Sequence, residues 1–541
     1  MGNPYMDLLR HYLLSILIFL PAIGAIPVLA VRGRVAICWT ATGIMSLTFA
    51  VSLLLFLCYD WHAGTSYAYA QDGGVMQMAQ RPDWIAPFNF QYLVGIDGLS
   101  LPLVLLTTFI FVLSGIASWK TEKKVRRYFG LLFLLETSIL GVFLSLNFCL
   151  LFLFLEFSLL LVGLLVWVWG GPRKEYAAVK FILYAALGSV ALLIALIGIH
   201  YFSLQVFSGG TLDLLRLADP QFSRQFSLAM GGPFSPTSIT FFLLLMVGFL
   251  MMLPVVPFHG WLADLHVEAP APVSMIVVAL MSSIGGYGIL RVAFPIFPET
   301  AKALWLPVAT LGVGNILYGA LCAMSQNDLK RLLAYGSISQ LGFVIAGFAM
   351  MTTASVSGAI FMLVAQGITG AALFFIAGIL HHRLHHCDLT RLGGLATTMP
   401  AYSGLASVAL FAGMGLPGLC GFVGEAMVLL GFFSAGGKGS ALRAAAIQHR
   451  QMEWFLPASR GLAVVACGGL VLTACYTLRT VQRLFWGEPN SQSGILVDIK
   501  RRELVVLTPL IALMLLLGLM PWAIFFLFTS QTIAAFLKVF S

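Results

Sequence analysis

Apolar runs of about 20 residues recur along the whole chain, separated by short polar stretches. Fourteen are countable, beginning near residues 12, 36, 99, 128, 147, 176, 238, 273, 303, 331, 355, 403, 460 and 505. A helix of about 20 residues rises about 30 Å, the thickness of a bilayer's hydrocarbon core, so each run predicts one crossing. In hydrocarbon every backbone polar group must be satisfied within its own segment, which makes these runs helices and not open sheets. The first run lacks a short apolar core and a cleavage-site pattern, so it is expected to be a retained span and not a signal peptide.

Two runs are interrupted. One carries Pro254 and Pro257, the other Gly415-Leu416-Pro417-Gly418. Proline removes a helix donor and clashes with the preceding turn, and irregular backbone at membrane depth is tolerated only where protein or a water-filled cavity covers it. The interruptions fall in the seventh and twelfth runs, five apart. Paired interruptions at matching places in two halves mark inverted repeats with a site near the midplane. The pattern therefore predicts an all-α polytopic membrane protein of about 14 transmembrane helices, with two inverted five-helix repeats and two broken helices. The expected divisions are 1–127 (helices 1–3 and a polar loop), 128–295 (first repeat), 296–486 (second repeat) and 487–541 (last helix).

Composition agrees with lipid as the solvent, since 60% of residues are hydrophobic and only 9% charged. The net charge of +9 invites a nucleic-acid reading, but the cations are distributed by topology. Loops on one side hold 18 Lys and Arg, including Lys120 to Arg127 and Lys500 to Arg502. The other side holds 11, among them Arg291, Lys438, Arg443, Arg450 and Arg460, and Lys180 alone is placed inside a helix. The positive-inside rule then puts both termini outside and the Lys120–Arg127 run in the cytoplasm, which predicts an inner (cytoplasmic) membrane location and excludes nucleic acid as a partner. Eight cysteines show no Cys-x-x-Cys spacing, and no Gly-rich phosphate loop or dinucleotide fingerprint is present. The chain is expected to hold no cofactor and no metal of its own.

An ionisable group at the centre of a span is costly unless paired or hydrated, and marks function by default. Glu136, Glu156, Lys180 and Glu425 stand within apolar runs. In His381-His382-Arg383-Leu384-His385-His386-Cys387, histidines fall at i and i+4, a metal-compatible spacing, but a helix-end role suits them better. His259 and His266, with Asp264 and Glu268 beside them, are expected in loop and helix-end contacts.

Four motifs carry a resemblance. They are Gly95-Ile96-Asp97-Gly98-Leu99-Ser100-Leu101-Pro102, the stretch Met251 to Trp261 continuing through His266-Val267-Glu268-Ala269-Pro270 to Gly288, Asp328-Leu329-Lys330-Arg331 through Gly342, and Gly415 to Glu425. In this order they resemble the antiporter-like membrane subunits of respiratory complex I, of the chain M (subunit 4) type, over nearly the whole chain. The resemblance implies fourteen helices with two inverted half-channels that pass protons along a hydrated axis. Electron transfer to quinone in another arm would drive them. NADH, FMN, iron–sulfur clusters and quinone would then belong to partner subunits, and the chain would serve an enzyme without a redox centre of its own.

Carried over residue by residue, the resemblance makes Glu156 the glutamate that responds to a neighbouring subunit and Glu425 the residue of the outlet half-channel. Lys180 and Glu136 match retained accessory charges. The family's relay lysines fall on Met252 and Ser283, its central histidines on Gln340 and Gln366, and an acid on Asn147. Met holds no proton, and Ser, Gln and Asn do not change charge near neutral pH. This pattern reads as an altered or silent channel. An Mrp-type cation/proton antiporter subunit, or a structural spacer of a complex-I-like assembly, stands as the alternative. The short tail after the last span disfavours the subunit 5 type.

Overall fold

The computed structural model describes residues 4–61, 66–69, 74–85, 90–207, 209–437, 442–443, 452–487, 496–522, 525 and 527–540. Lys438 and Arg450, counted above among loop cations, lie outside the described residues. Among those described, twelve helices are long and apolar enough to cross a membrane, and three shorter apolar helices accompany them. In order, the first are α1 (Pro4–Ala30), α2 (Arg34–Cys58), α3 (Ser100–Ala117), α4 (Val125–Leu144), α5 (Phe148–Trp169) and α6 (Lys174–Val206). The first broken helix follows as α7 (Pro236–Met252) and α8 (Gly260–Glu268). Next come α9 (Ala271–Ile296), α10 (Trp305–Ser325), α11 (Leu329–Ala349) and α12 (Thr353–Leu384). The second broken helix is α13 (Pro400–Met414) and α14 (Cys420–Ser434), before α15 (Met452–Phe485), α16 (Arg501–Leu519) and α17 (Leu527–Lys538).

The fold is not wholly helical. The polar stretch between α2 and α3 forms short strands, with Gly74–Gln80 paired in parallel to Ser66–Tyr69 and antiparallel to Val94–Ile96. Gln77 anchors this patch to the end of α2 by exchanging two hydrogen bonds with the Asp60 backbone, 2.9 and 2.7 Å. The short strands rest on polar pairing outside the spans, which a reading of apolar runs does not register.

The helices sort by burial. The apolar stretch of α9 is wholly covered and those of α11 and α12 nearly so, whereas α2 and α15 expose most of theirs. Exposed Leu183, Leu187 and Ile197 on α6 show what the rim offers to lipid. Polar side chains therefore collect around α9, α11 and α12, where protein and not hydrocarbon is their solvent.

Each break has its own local cause. At the first, Pro254 and Pro257 cannot donate, and the freed Val256 N–H donates instead to Asn315 Oδ1 on α10, 3.0 Å away. Asn315 Nδ2 donates in turn to the Ile338 carbonyl of α11, 2.7 Å, so one amide ties the break to two helices. Gly285 of α9 lies so close that a Cβ there would collide with the Leu253 backbone. At the second break Gly415 ends α13 in the left-handed region (φ 79°), and the Leu416 N–H reaches back to the Phe411 carbonyl at 3.1 Å.

Candidate functional site

Beside the second break, α14 carries Glu425 into the interior, 2% exposed, with carboxylate Oε1 lacking any hydrogen-bond partner among the described residues. Its carboxylate stands against Gly415, where any side chain would strike it. Gln340 of α11 lies within reach of the same carboxyl and donates through Nε2 to the Gly413 carbonyl, 2.9 Å. The structure thus brings Glu425 and Gln340 together at one interruption of the helix. Gln366, on α12, is buried as well.

The first break holds no such acid. Met252 is the last residue of α7 and is buried at 2% exposure, beside a break held by Asn315. Ser283, on α9, spends its hydroxyl on the Ala279 carbonyl of its own helix at 2.6 Å. Neither position offers a group that changes charge.

Charge reappears midway along α8. Lys180 Nζ donates to Asp264 at 2.6 Å, and Arg331 donates to the other oxygen of the same carboxylate at 3.2 Å. Asp264, noted in the sequence only as a neighbour of two histidines, is the hub that joins α6, α8 and α11. His266, two residues on, is fully buried, stacks on Phe374 of α12 with ring centroids 4.0 Å apart, and finds no hydrogen-bond partner for either nitrogen among the described residues. It sits in the last turn of α8, a helix-end position of the kind the sequence suggested. His259 packs edge-on against Tyr318, with centroids 5.0 Å apart.

The remaining positions separate. Glu156 is half-buried on α5 with Ser189 of α6 beside it, on a flank that also exposes Leu153, Phe157 and Leu160. Glu136 lies mid-helix in α4, fully buried, both oxygens without a hydrogen-bond partner among the described residues. Asn147 acts locally, its side-chain oxygen accepting from Cys149 N at 2.9 Å and Leu150 N at 3.4 Å to form the N-cap of α5. Asn serves as a helix cap as well as Asp does.

The placement of Arg291 as an outer-loop cation is corrected. It is buried within α9, in a π-helical turn, and pairs with buried Asp97 at 2.7 Å. Tyr287 and Tyr67 complete the arrangement, their hydroxyls accepting from Arg291 Nε and Nη1. An isolated charge could not be buried there; a carboxylate brought in by the stretch before α3 lets it be. Lys180 is accordingly not the sole cation within a helix, since Lys330 at the start of α11 is also buried, donating to the Val267 carbonyl at 3.0 Å.

A cavity of about 680 Å³ opens among the helix ends at this same face, lined by Lys120, Val267, Glu268, Lys330, Phe375 and His381 among others. His381, His382 and His385 are exposed along it. Cys387 lines it too, and burial pushes its thiol up to about 12 against the pull of Lys330, so it is held as a thiol and not as a metal-ready thiolate. No group of three or more His, Cys, Asp or Glu placed to hold a metal occurs among the described residues.

Residues 145–443 match the family described as NADH:quinone oxidoreductase/Mrp antiporter, TM, and residues 73–147 match NADH-ubiquinone oxidoreductase chain 4, amino terminus. The chain is 34% identical to an NAD(P)H-quinone oxidoreductase chain 4 of Synechococcus sp. over 96% of its own length and 91% of the relative's. It is also 34% identical to NADH-quinone oxidoreductase subunit M of Rhodobacter capsulatus, over 94% and 93%. Its fold superposes on a chain of respiratory complex I from Thermus thermophilus with bound NADH at a TM-score of 0.79 and 25% identity, covering 98% of this chain and all of that one. A chain of the Mrp complex from Dietzia sp. shares the fold at a TM-score of 0.75 and 23% identity, with 97% of this chain and 52% of that one covered.

Proposed function

The chain belongs to the chain 4 (subunit M) family of NADH:quinone oxidoreductases, and from that premise we propose that it is a membrane-arm subunit whose central axis passes protons poorly. It is a multi-pass, antiporter-like subunit of a multi-subunit complex. NADH oxidation, with its FMN, iron–sulfur clusters and quinone, is assigned to partner subunits. Each broken helix counted as one crossing makes fourteen, and helices 4–8 and 9–13 form the two repeats. The cation-rich loops support a reading in which Lys120–Arg127 lies at the cytoplasmic face of the inner membrane and both termini lie outside.

The observation that carries the reading is the contrast between ends and middle. Glu156, Lys180 with Asp264, and Glu425 keep titratable groups at the flank, beside α8 and at the second break. Between them Met252 is a buried thioether and Ser283 is committed to its own helix. A moving proton needs stations whose charge changes, and a buried lysine serves because desolvation brings its pKa within reach. Arg291, locked to Asp97, stays protonated and is no substitute.

The test is the number of protons moved per NADH by the complex reconstituted in vesicles, compared with the double variant Met252→Lys, Ser283→Lys. Fewer protons are expected from the unmodified complex, with a gain in the variant. A full count in the unmodified complex overturns the reading.

A further inference from the structure

Resting on the reading above that Glu425 keeps a titratable group at the second break, we infer that Tyr476 is a positioning residue for it. The Tyr476 hydroxyl donates to Gln340 Oε1, directly or through one water, and so holds the Gln340 amide with its N–H toward Glu425.

One end of that amide is already committed. The Gly413 carbonyl can only accept, so the bond it takes at 2.9 Å fixes which end of the Gln340 side chain is nitrogen. The nitrogen carries a second hydrogen, and within its reach lies the Glu425 carboxyl, whose Oε1 has no partner among the described residues. Gln340 Oε1 is then left buried with no donor among the described residues. A buried acceptor without a donor is destabilising, and an amide held at one end only is free to present oxygen to the carboxylate instead.

The donor comes from α15. A helical side chain covers the turn N-terminal to its own Cα, so Gln340 lies over the turn that holds Gly336, four residues back on the same face of α11. Gly336 leaves that spot open and the Tyr476 hydroxyl fills it, since a Cβ at position 336 would stand 2.9 Å from the phenolic oxygen. Tyr476 is buried, and it lies within electrostatic reach of Glu425. Thr473 and Thr477 of the same helix also approach the hydroxyl. Thr473 already donates to the Gly469 carbonyl at 3.1 Å, whereas Gln340 Oε1 has no bond, so the phenolic proton stabilises more at Gln340. With its oxygen occupied the amide cannot turn over, and the ionised carboxylate meets an N–H, a charge-assisted bond, instead of a carbonyl oxygen. The other titratable group acting on Glu425 among the described residues is Cys420, on its own helix; no charged side chain of α11, α12, α13 or α16 does so.

The experiment uses the assembled complex in sealed vesicles and reads NADH:quinone turnover across pH, with and without a protonophore. The ratio of the two cancels the pH dependence of the redox arm, and its midpoint is compared among variants. Tyr476→Phe, which keeps the ring and removes the hydroxyl, and Gln340→Leu are each expected to move the midpoint by about one pH unit, tenfold in proton concentration. Because Tyr476 acts through Gln340, the double variant is expected to move it no further than Gln340→Leu alone. Gly336→Ala crowds the hydroxyl off its place, is expected to reproduce the shift, and serves if Tyr476→Phe fails to assemble. An unmoved midpoint in Tyr476→Phe, or in Gly336→Ala standing in for it, overturns the inference, and so do shifts that add in the double variant. An unmoved midpoint in Glu425→Gln removes its premise and overturns it too. The proton count per NADH is a separate measurement, so a full count alongside the expected midpoints removes the earlier proposal and leaves the role of Tyr476 standing.

Discussion

The two broken helices solve the same backbone problem with different chemistry. At the first, the unpaired N–H of Val256 is taken by Asn315, and the neighbouring Met252 and Ser283 cannot change charge. At the second, Gly415 turns the chain by its own conformational freedom, and buried Glu425 stands beside it with Gln340. The difference teaches that an interruption and a proton station are separable. Breaking a helix in hydrocarbon demands a partner for the freed backbone group, whereas carrying a proton demands a group with two charge states. The first break keeps the former without the latter.

That separation is broken most directly at Asn315. Asn315→Leu removes the acceptor for Val256 and the donor to Ile338, leaving buried backbone groups unsatisfied at a cost of about 2–4 kcal/mol. A lower unfolding temperature and less assembled complex are the expected results. Gln340→Leu at the other break loses the bond to Gly413 and the contact with Glu425 but frees no backbone N–H, and is expected to cost about 1 kcal/mol. Equal losses, measured by thermal unfolding of the purified complex, would mean that the two breaks are held alike.

The comparison sharpens when the charged residue itself is changed. Glu425→Gln keeps the shape and removes the titration, and is expected to lower coupled NADH:quinone turnover by about fivefold, the low end of a coupling free energy of 1–3 kcal/mol. Met252→Leu, a volume-conserving swap in a covered site, is expected to leave turnover unchanged and to cost under about 1.5 kcal/mol of stability. Substitutions within His381–Cys387 should disturb turnover less than Glu425→Gln. A silent Glu425→Gln removes the second break from the relay.

Much of this was legible in the chain. Apolar runs gave the spans, prolines and the Gly-Leu-Pro-Gly run gave both breaks, and isolated carboxylates gave Glu136, Glu156 and Glu425. What stayed hidden depends on neighbours distant in sequence. Arg291 reads as a cation at a span's edge until Asp97, almost two hundred residues earlier, is folded against it. Asn315 is one amide in an apolar helix, and nothing local says that it faces Val256. Asn147 could be scored only as a missing acid, while the fold gives it a cap to form. Periodicity reports which residues are buried, but the partner of a buried polar group is a property of the assembled helices.

The smallest effect tests how the second broken helix begins. Asp498, outside the spans, accepts from the Ala401 and Tyr402 backbone N–H groups at 3.0 and 3.1 Å, capping α13 from a distant loop. Partial burial acts to raise its carboxyl, but the N–H groups of Ile499, Ala401 and Tyr402, with Arg383 nearby, prevail and hold it below the ordinary carboxylate range. A carboxyl whose folded pKa is depressed stabilises the fold above its unfolded pKa and loses that contribution as pH falls through the folded value. Asp498→Asn keeps an acceptor and removes the charge at a helix N-terminus, worth about 0.5 kcal/mol. The unmodified chain is therefore expected to unfold at a slightly higher temperature than Asp498→Asn at neutral pH, with the gap closing below about pH 4. The first broken helix begins with a neutral cap instead, the Ser235 hydroxyl accepting from the Ser238 N–H at 3.1 Å at the start of α7, so no such pH dependence is expected there. A gap that persists unchanged at low pH would mean that geometry, not charge, starts α13.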